Sequence, residues 1–367
     1  MNTAIPNVDP MPLPAPYWLF KVLLVLMFIL HIVAMNFMFG GGILAAVARF
    51  KGKKDENYLW ISQNLTQKIT SFFAATITLG VAALLFVQVI YGQFFYTSSV
   101  LMAWPWFLVI ILLIFAYYGF YLVAFKKKVT SPSMGWILVF SLAIIFVIGF
   151  FYSNNMTLML KPENWFAKYQ ADPSGWNLNW GEPTLIPRFL HFFVASIAIG
   201  GVLAVLTGLF RWKRDESSAR RLISYGGKWF LYATMVQILV GIWFLLSLPK
   251  EKMMLFMGKH GLATGLFVLG IIGAILAIVF MAGALRKEDP RAGARRALIT
   301  IGVVVVFMAI MRDILREAYI SGYYPGVAMP TRVQWSPMIL FFVLFLAGVV
   351  LWVVMLKRYF FAPDRTV

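Results

Sequence analysis

The sequence predicts an all-α polytopic membrane protein: nine transmembrane helices in one bundle, N-terminus outside and C-terminus inside. Three observations predict it: an extreme apolar composition, nine runs long enough to cross a bilayer, and a one-sided distribution of basic residues. Of 367 residues, 61% are hydrophobic and 13% charged, and the mean hydropathy is +0.82. One water-soluble core cannot hide that much apolar surface, so lipid must be the solvent for most of the chain.

A hydrocarbon layer of about 30 Å needs roughly 20 apolar residues per helix. Runs that meet this lie near 17–48, 66–92, 100–125, 134–160, 184–210, 222–248, 258–285, 295–318 and 337–357. The residues before the first run, MNTAIPNVDPMPLPAP, lack the basic stretch of a signal peptide, so the first span is expected to be retained. The formal charge of +18 comes from basic residues in the short connections. With the N-terminus outside, the inner connections carry Arg49, Lys51, Lys53 and Lys54, then Lys126 to Lys128, then the groups at 211–221 and 286–296. That bias orients the chain. The same placement argues against nucleic acid, because no basic face interleaved with aromatics exists to bind it.

Residues 1–367 read as a single membrane domain. The two substantial loops, 161–183 and 318–337, both lie outside and are rich in Trp, Tyr, Pro and Gly, as expected of structured caps on which a partner docks. No internal repeat of the kind that marks many transporters stands out. The absence of cysteine excludes disulfides, thiolate metal sites and covalent haem attachment through cysteines of this chain. No G-x-x-x-x-G-K-[ST] loop occurs, which argues against ATP-driven work.

The chain has three histidines, and all three fall in spans. His31 sits near the middle of the first span, followed by Asn36 and by Gly40 to Gly42, where a macrocycle or another helix could come close. His191 lies roughly 10 Å into the fifth span at ~1.5 Å per residue, and His260 opens the seventh at the same outer level. An imidazole in lipid needs a partner, and haem ligation between two helices supplies one. A packing histidine or a proton relay are the alternatives. Arg188, one turn before His191, could grip a haem propionate or snorkel to the interface. The eighth span ends M-R-D-I-L-R-E-A-Y, which brings Arg312, Asp313, Arg316 and Glu317 into one charged cluster.

These motifs resemble, in order, those of subunit I of the cytochrome bd-type oxidases. H-I-V-A-M-N-F-M-F-G is similar to the family's haem-ligand histidine with a glycine nine residues on, which implies a role for His31. G-V-A-A-L-L-F-V-Q-V-I-Y-G resembles its second-span motif, although Gln88 falls two residues before the family's glutamine. R-F-L-H is similar to the family's K-F-V-H, so His191 would hold a low-spin haem b beside Arg188. D-I-L-R resembles E-Y-G-R and maps Asp313 onto a ligating glutamate and Arg316 onto the arginine after it. M-P-T (Met329 to Thr331) echoes the family's L-P-T. At the family's second low-spin ligand position stand His260 and, as a fallback, Met257, with Lys259 available to a propionate.

Two departures limit what carries over. The family's long quinol-oxidising loop is here a short connection, L-P-K-E-K-M-M-L-F-M-G, and its third-span glutamates are missing. The resemblance therefore implies a haem b electron-transfer subunit of a respiratory complex in a prokaryotic cytoplasmic membrane. It would carry one low-spin haem b, a further haem at His31, other membrane subunits and an extracytoplasmic cytochrome c as electron partner, with a quinone site left open. Two other functions fit the same sequence: a terminal oxygen reductase using tyrosines such as Tyr117 and Tyr118 for protons, and a haem-free transporter or structural subunit.

Overall fold

The computed structural model describes residues 12–125 and 132–361; Lys126 to Lys128 lie outside them. Among the described residues, nine helices are long and apolar enough to cross a membrane. They are α1 (Tyr17–Lys51), α2 (Glu56–Leu101), α3 (Ala103–Phe125), α4 (Pro132–Met159), α6 (Leu185–Arg211), α7 (Glu216–Ser247), α9 (Gly261–Leu285), α10 (Arg291–Ile320) and α11 (Trp335–Phe361). Two short helices, α5 (Trp165–Ala171) and α8 (Lys250–Met253), lie in connections. This is the all-α multi-pass membrane architecture the sequence predicts.

Gly92 suggests an early end to the second span, but the helix continues to Leu101 and only bends at Tyr91, where φ is −121° and ψ 29°. A helical glycine costs about 1 kcal/mol relative to alanine, and burial of Phe94, Phe95, Ser98 and Leu101 outweighs it. Only Met102 separates α2 from α3.

The structure exposes a repeat that the sequence reading passed over. Asp55 caps α2 by accepting from the Asn57 N–H at 2.9 Å, and Asp215 caps α7 by accepting from the Ser218 N–H at 3.0 Å. These caps lie 160 positions apart, within similar segments, FKGKKDEN from Phe50 and FRWKRDES from Phe210. At the same offset His31 matches His191, and Gly40 matches Gly200. The hairpins α1–α2 and α6–α7 are therefore two copies of one unit. Both start at the same end of the bundle, so the repeat is parallel rather than inverted.

The two units meet backbone to backbone. A Cβ on Gly40 would strike the Ser196 carbonyl, and one on Gly200 would strike the Gly40 backbone. Gly41 and Gly42 similarly admit Leu203 and Leu142, so the triple glycine seats α1 against α6 and α4 at once. Of the two uses left open for these glycines, approach of another helix is the one the structure shows.

Both long loops and the N-terminal segment gather at the end where α1 begins, here the capped end. Asn179 donates its backbone N–H to Asn154 Oδ1 at 2.8 Å, and Trp165 Nε1 donates to the Leu158 carbonyl at 2.9 Å. Lys161 pairs with buried Glu182 at 2.6 Å. The Leu13 N–H donates to Pro330 O at 2.7 Å and the Arg332 N–H to Leu13 O at 2.9 Å, strapping the N-terminal segment to the last loop.

Gly200→Val should force α1 and α6 apart and cost about 1–3 kcal/mol, whereas Gly302→Val, where a Cβ meets nothing within 4 Å, should be neutral. Thermal unfolding in detergent reads the difference. Burial alone would raise the Glu182 carboxyl, but Lys161 and Thr184 outweigh it and hold the pKa below 4.5. Its stabilising contribution is thus present above pH 4.5 and lost as pH falls through the lower folded value. Melting curves of Glu182→Gln should lack that acid-side loss.

Candidate functional site

The repeat places both histidines by the same geometry. His31 and His191 each lie nine residues before the glycine at the α1–α6 contact. At ~1.5 Å and ~100° per residue, nine residues set each imidazole about 13 Å above the crossing and on the far side of its helix. Each accordingly faces its own hairpin partner.

His31 Nδ1 lies 3.0 Å from the Thr76 carbonyl. A carbonyl only accepts, so Nδ1 carries the proton and Nε2 keeps its lone pair. Gly80, one turn further along α2, leaves room for the ring: a Cβ there would come within 2.8 Å of it. His191 Nδ1 lies 3.0 Å from the Gln237 side-chain amide nitrogen, and Gly241, again one turn on, backs the ring. In that orientation Gln237 Oε1 is buried without a partner. With Nδ1 accepting from the amide N–H, Nε2 carries the His191 proton; exchanging the amide's N and O would instead let Oε1 accept from Nδ1–H and free Nε2. Both imidazoles thus have Nδ1 held by the hairpin partner, and Nε2 is available in His31 and, with the Gln237 amide exchanged, in His191, the arrangement of a metal-binding histidine oriented by an outer partner.

Around them lies an excess of positive charge. Lys21 pairs at 2.6 Å with both Asp313 and Glu317 and donates to Tyr91 Oη at 2.7 Å. Tyr91 donates to Glu317, and Arg316 reaches Asp313 at 3.5 Å. Tyr17 and Tyr324 close the cluster on Glu317 at 3.1 and 3.0 Å. Arg188 is buried over the Phe244 ring at 5.0 Å, its Nε without a partner. Arg312 lies over the Phe28 ring at 4.1 Å. Arg188, Arg312 and Arg316 are close enough to repel one another. Four cations therefore face Asp313 and Glu317, both already engaged, while the carboxylate within reach of Arg188, Glu182, is paired with Lys161. Tyr319 Oη, within electrostatic reach of Arg188, is also buried without a partner.

The remaining candidates stand apart. His260 caps α9, its Nδ1 accepting from the Ala263 N–H at 3.2 Å; it is exposed, as are Lys259 and Met257 on the preceding π-type turn, Leu255–Lys259. An accepting Nδ1 puts the proton on Nε2, so ligation through Nε2 would require His260 to give up its cap. Gln88 accepts from Tyr96 on its own helix at 3.0 Å; Tyr91, one turn on, is the α2 residue in the charged cluster. Asp313 has Oδ2 on Lys21 and Oδ1 facing Arg316. Tyr118 is 65% exposed on the outer surface of α3.

A solved structure, the bd oxidase from Geobacillus thermodenitrificans, contains a chain that superposes with a TM-score of 0.71 at 15% identity, over 96% of this chain and 100% of that one. The chain thus has a bd-oxidase-like fold. No protein-family model and no curated protein matches it.

Sequence reasoning missed Lys21, Tyr91 and Gln237. Lys21 and Gln237 each stand alone in an apolar run, a signal that a polar partner is owed in the membrane. Tyr91 carries no such signal among so many interfacial aromatics. Lys21→Met should leave two half-buried carboxylates short of their shared cation and cost about 1–2 kcal/mol. Denaturation in detergent should show this loss largely restored in Lys21→Arg.

Proposed function

We propose that this chain is the haem b-binding, electron-transferring subunit of a respiratory membrane complex. The observation that carries the reading is the pair of equivalent imidazoles at one depth, each with Nδ1 held by its own hairpin partner. The chain's own residues fit the group. Arg188 Nε and Tyr319 Oη are buried donors without acceptors, and propionates are acceptors of the right charge. Glycines flank both rings where a Cβ would crowd them.

His191 would hold a low-spin haem b, with Arg188 beside a propionate. His260 would be the second protein ligand, giving up its cap on α9, with Met257 the fallback and Lys259 free for a second propionate. His31 would hold a further haem. Asp313 and Arg316 hold the charge balance beside it, and Gln88 lies outside. When bound, haem supplies reversible one-electron exchange; the protein holds it in a dry bundle, fixes the ring tautomers and balances its carboxylates.

Under the positive-inside rule the capped end faces outward, into the periplasm or its equivalent across a prokaryotic cytoplasmic membrane. The loops 161–183 and 318–337 are then the docking surface for an extracytoplasmic cytochrome c or a partner subunit. The short α7–α9 connection offers no long loop for a quinol.

In purified, haem-supplied protein the reduced-minus-oxidised spectrum should show a haem b signal. His191→Ala should remove its low-spin component and His31→Ala a separate one, while His260→Ala should change the axial field more than Met257→Leu does. Well-folded protein with no signal would refute the reading and favour the haem-free transporter.

A further inference from the structure

The 160-residue repeat makes a specific comparison between the two histidine sites. Arg188 stands three residues before His191; the matching position, three residues before His31, is Phe28. The first unit therefore lacks a cation of its own where the second unit has one. The structure fills that place from elsewhere: the Arg312 guanidinium, on α10, lies over the Phe28 ring at 4.1 Å. It is within electrostatic reach of His31.

Arg312 is otherwise unexplained. Among the described residues it makes no ion pair, because the neighbouring Asp313 directs its oxygens to Lys21 and Arg316. Holding a guanidinium with no direct ion pair inside a membrane bundle, against two other arginines and with only the longer-range pull of Asp313, is costly. It persists where an anion arrives to meet it.

We propose that Arg312 is the counterpart of Arg188 for the His31 site: the cation, supplied across the bundle by α10 onto Phe28, that faces the carboxylate edge of the group bound at His31. This rests on the haem reading above. Arg312 acts on the site's charge rather than on the iron's ligands. A fixed cation disfavours the more positive ferric state, so it raises the reduction potential of the nearer haem. For a unit charge roughly 10 Å away at an effective dielectric near 20, the ferric–ferrous equilibrium moves on the order of tenfold, about 59 mV for a one-electron couple.

The test is a dithionite–ferricyanide optical titration of the full-length holoprotein, with the His31 and His191 components assigned from His31→Ala and His191→Ala. In Arg312→Gln the His31 component should shift about tenfold toward ferric while the His191 component stays put. Arg188→Gln should show the reverse selectivity, and Arg312→Lys, which keeps the charge, should stay within a few-fold of wild type. Should Arg312→Gln lose haem, Phe28→Glu keeps the guanidinium but pairs it, and should shift the His31 component the same way.

An unshifted His31 component in Arg312→Gln at full haem content, equal shifts of both components, or no shift in a haem-loaded Phe28→Glu overturns the proposal. Wild-type protein without haem absorbance overturns the haem reading itself, and is recognised before any titration begins.

Discussion

The close approach of α1 and α6 at Gly40 and Gly200 is the constraint on which the rest depends. Because no side chain separates the two backbones there, the helices are locked in register. His31 and His191, equally far from that contact, are held level and pointed outward into separate hairpins. In lipid the packing of small residues replaces the hydrophobic driving force that would hold such helices together in water. Geometry at the glycines thus becomes geometry at the imidazoles, although nine residues of helix separate them.

The second organising feature is charge. Lys21 ties α1 to α10 through two carboxylates and touches Tyr91 at the bend in α2. That bend brings Tyr91 onto Glu317 and beneath both Lys21 and Arg316, whose charges lie 5.4 and 5.3 Å from its ring. Three helices are stapled at a depth where unpaired charge is expensive. Arg188 and Arg312 stand outside this compensation, and their positions beside the two histidines give the excess a direction.

Much of the architecture was legible in the sequence, because apolar length and basic asymmetry are additive properties that survive without tertiary information. His31, His191 and Arg188 stand out in the sequence for the complementary reason: a polar group in lipid is costly and needs a partner. The repeat was not, since it survives in a handful of residues such as KKDEN and KRDES, and only the matched caps and glycine contacts show that they are equivalent. The partner of Gln88 was not legible because sequence gives depth but not azimuth; it bonds Tyr96 on its own helix. His260 was placed correctly at the start of its helix, but its capping hydrogen bond is set by local backbone geometry that spacing does not reveal.

The strap at the capped end bears on the order in which the molecule is built. Leu13 and Pro14 bond to residues 330–334, and Tyr17 meets partners 300 and 307 positions away. A chain threaded into the bilayer from its N-terminus makes the first half of each of these contacts long before the second half has left the ribosome. Its opening helix must therefore wait, with Lys21 unmatched, until α10 and the segment after it arrive. Closure of the capped end is a late event, and the hairpins beneath it can mature first.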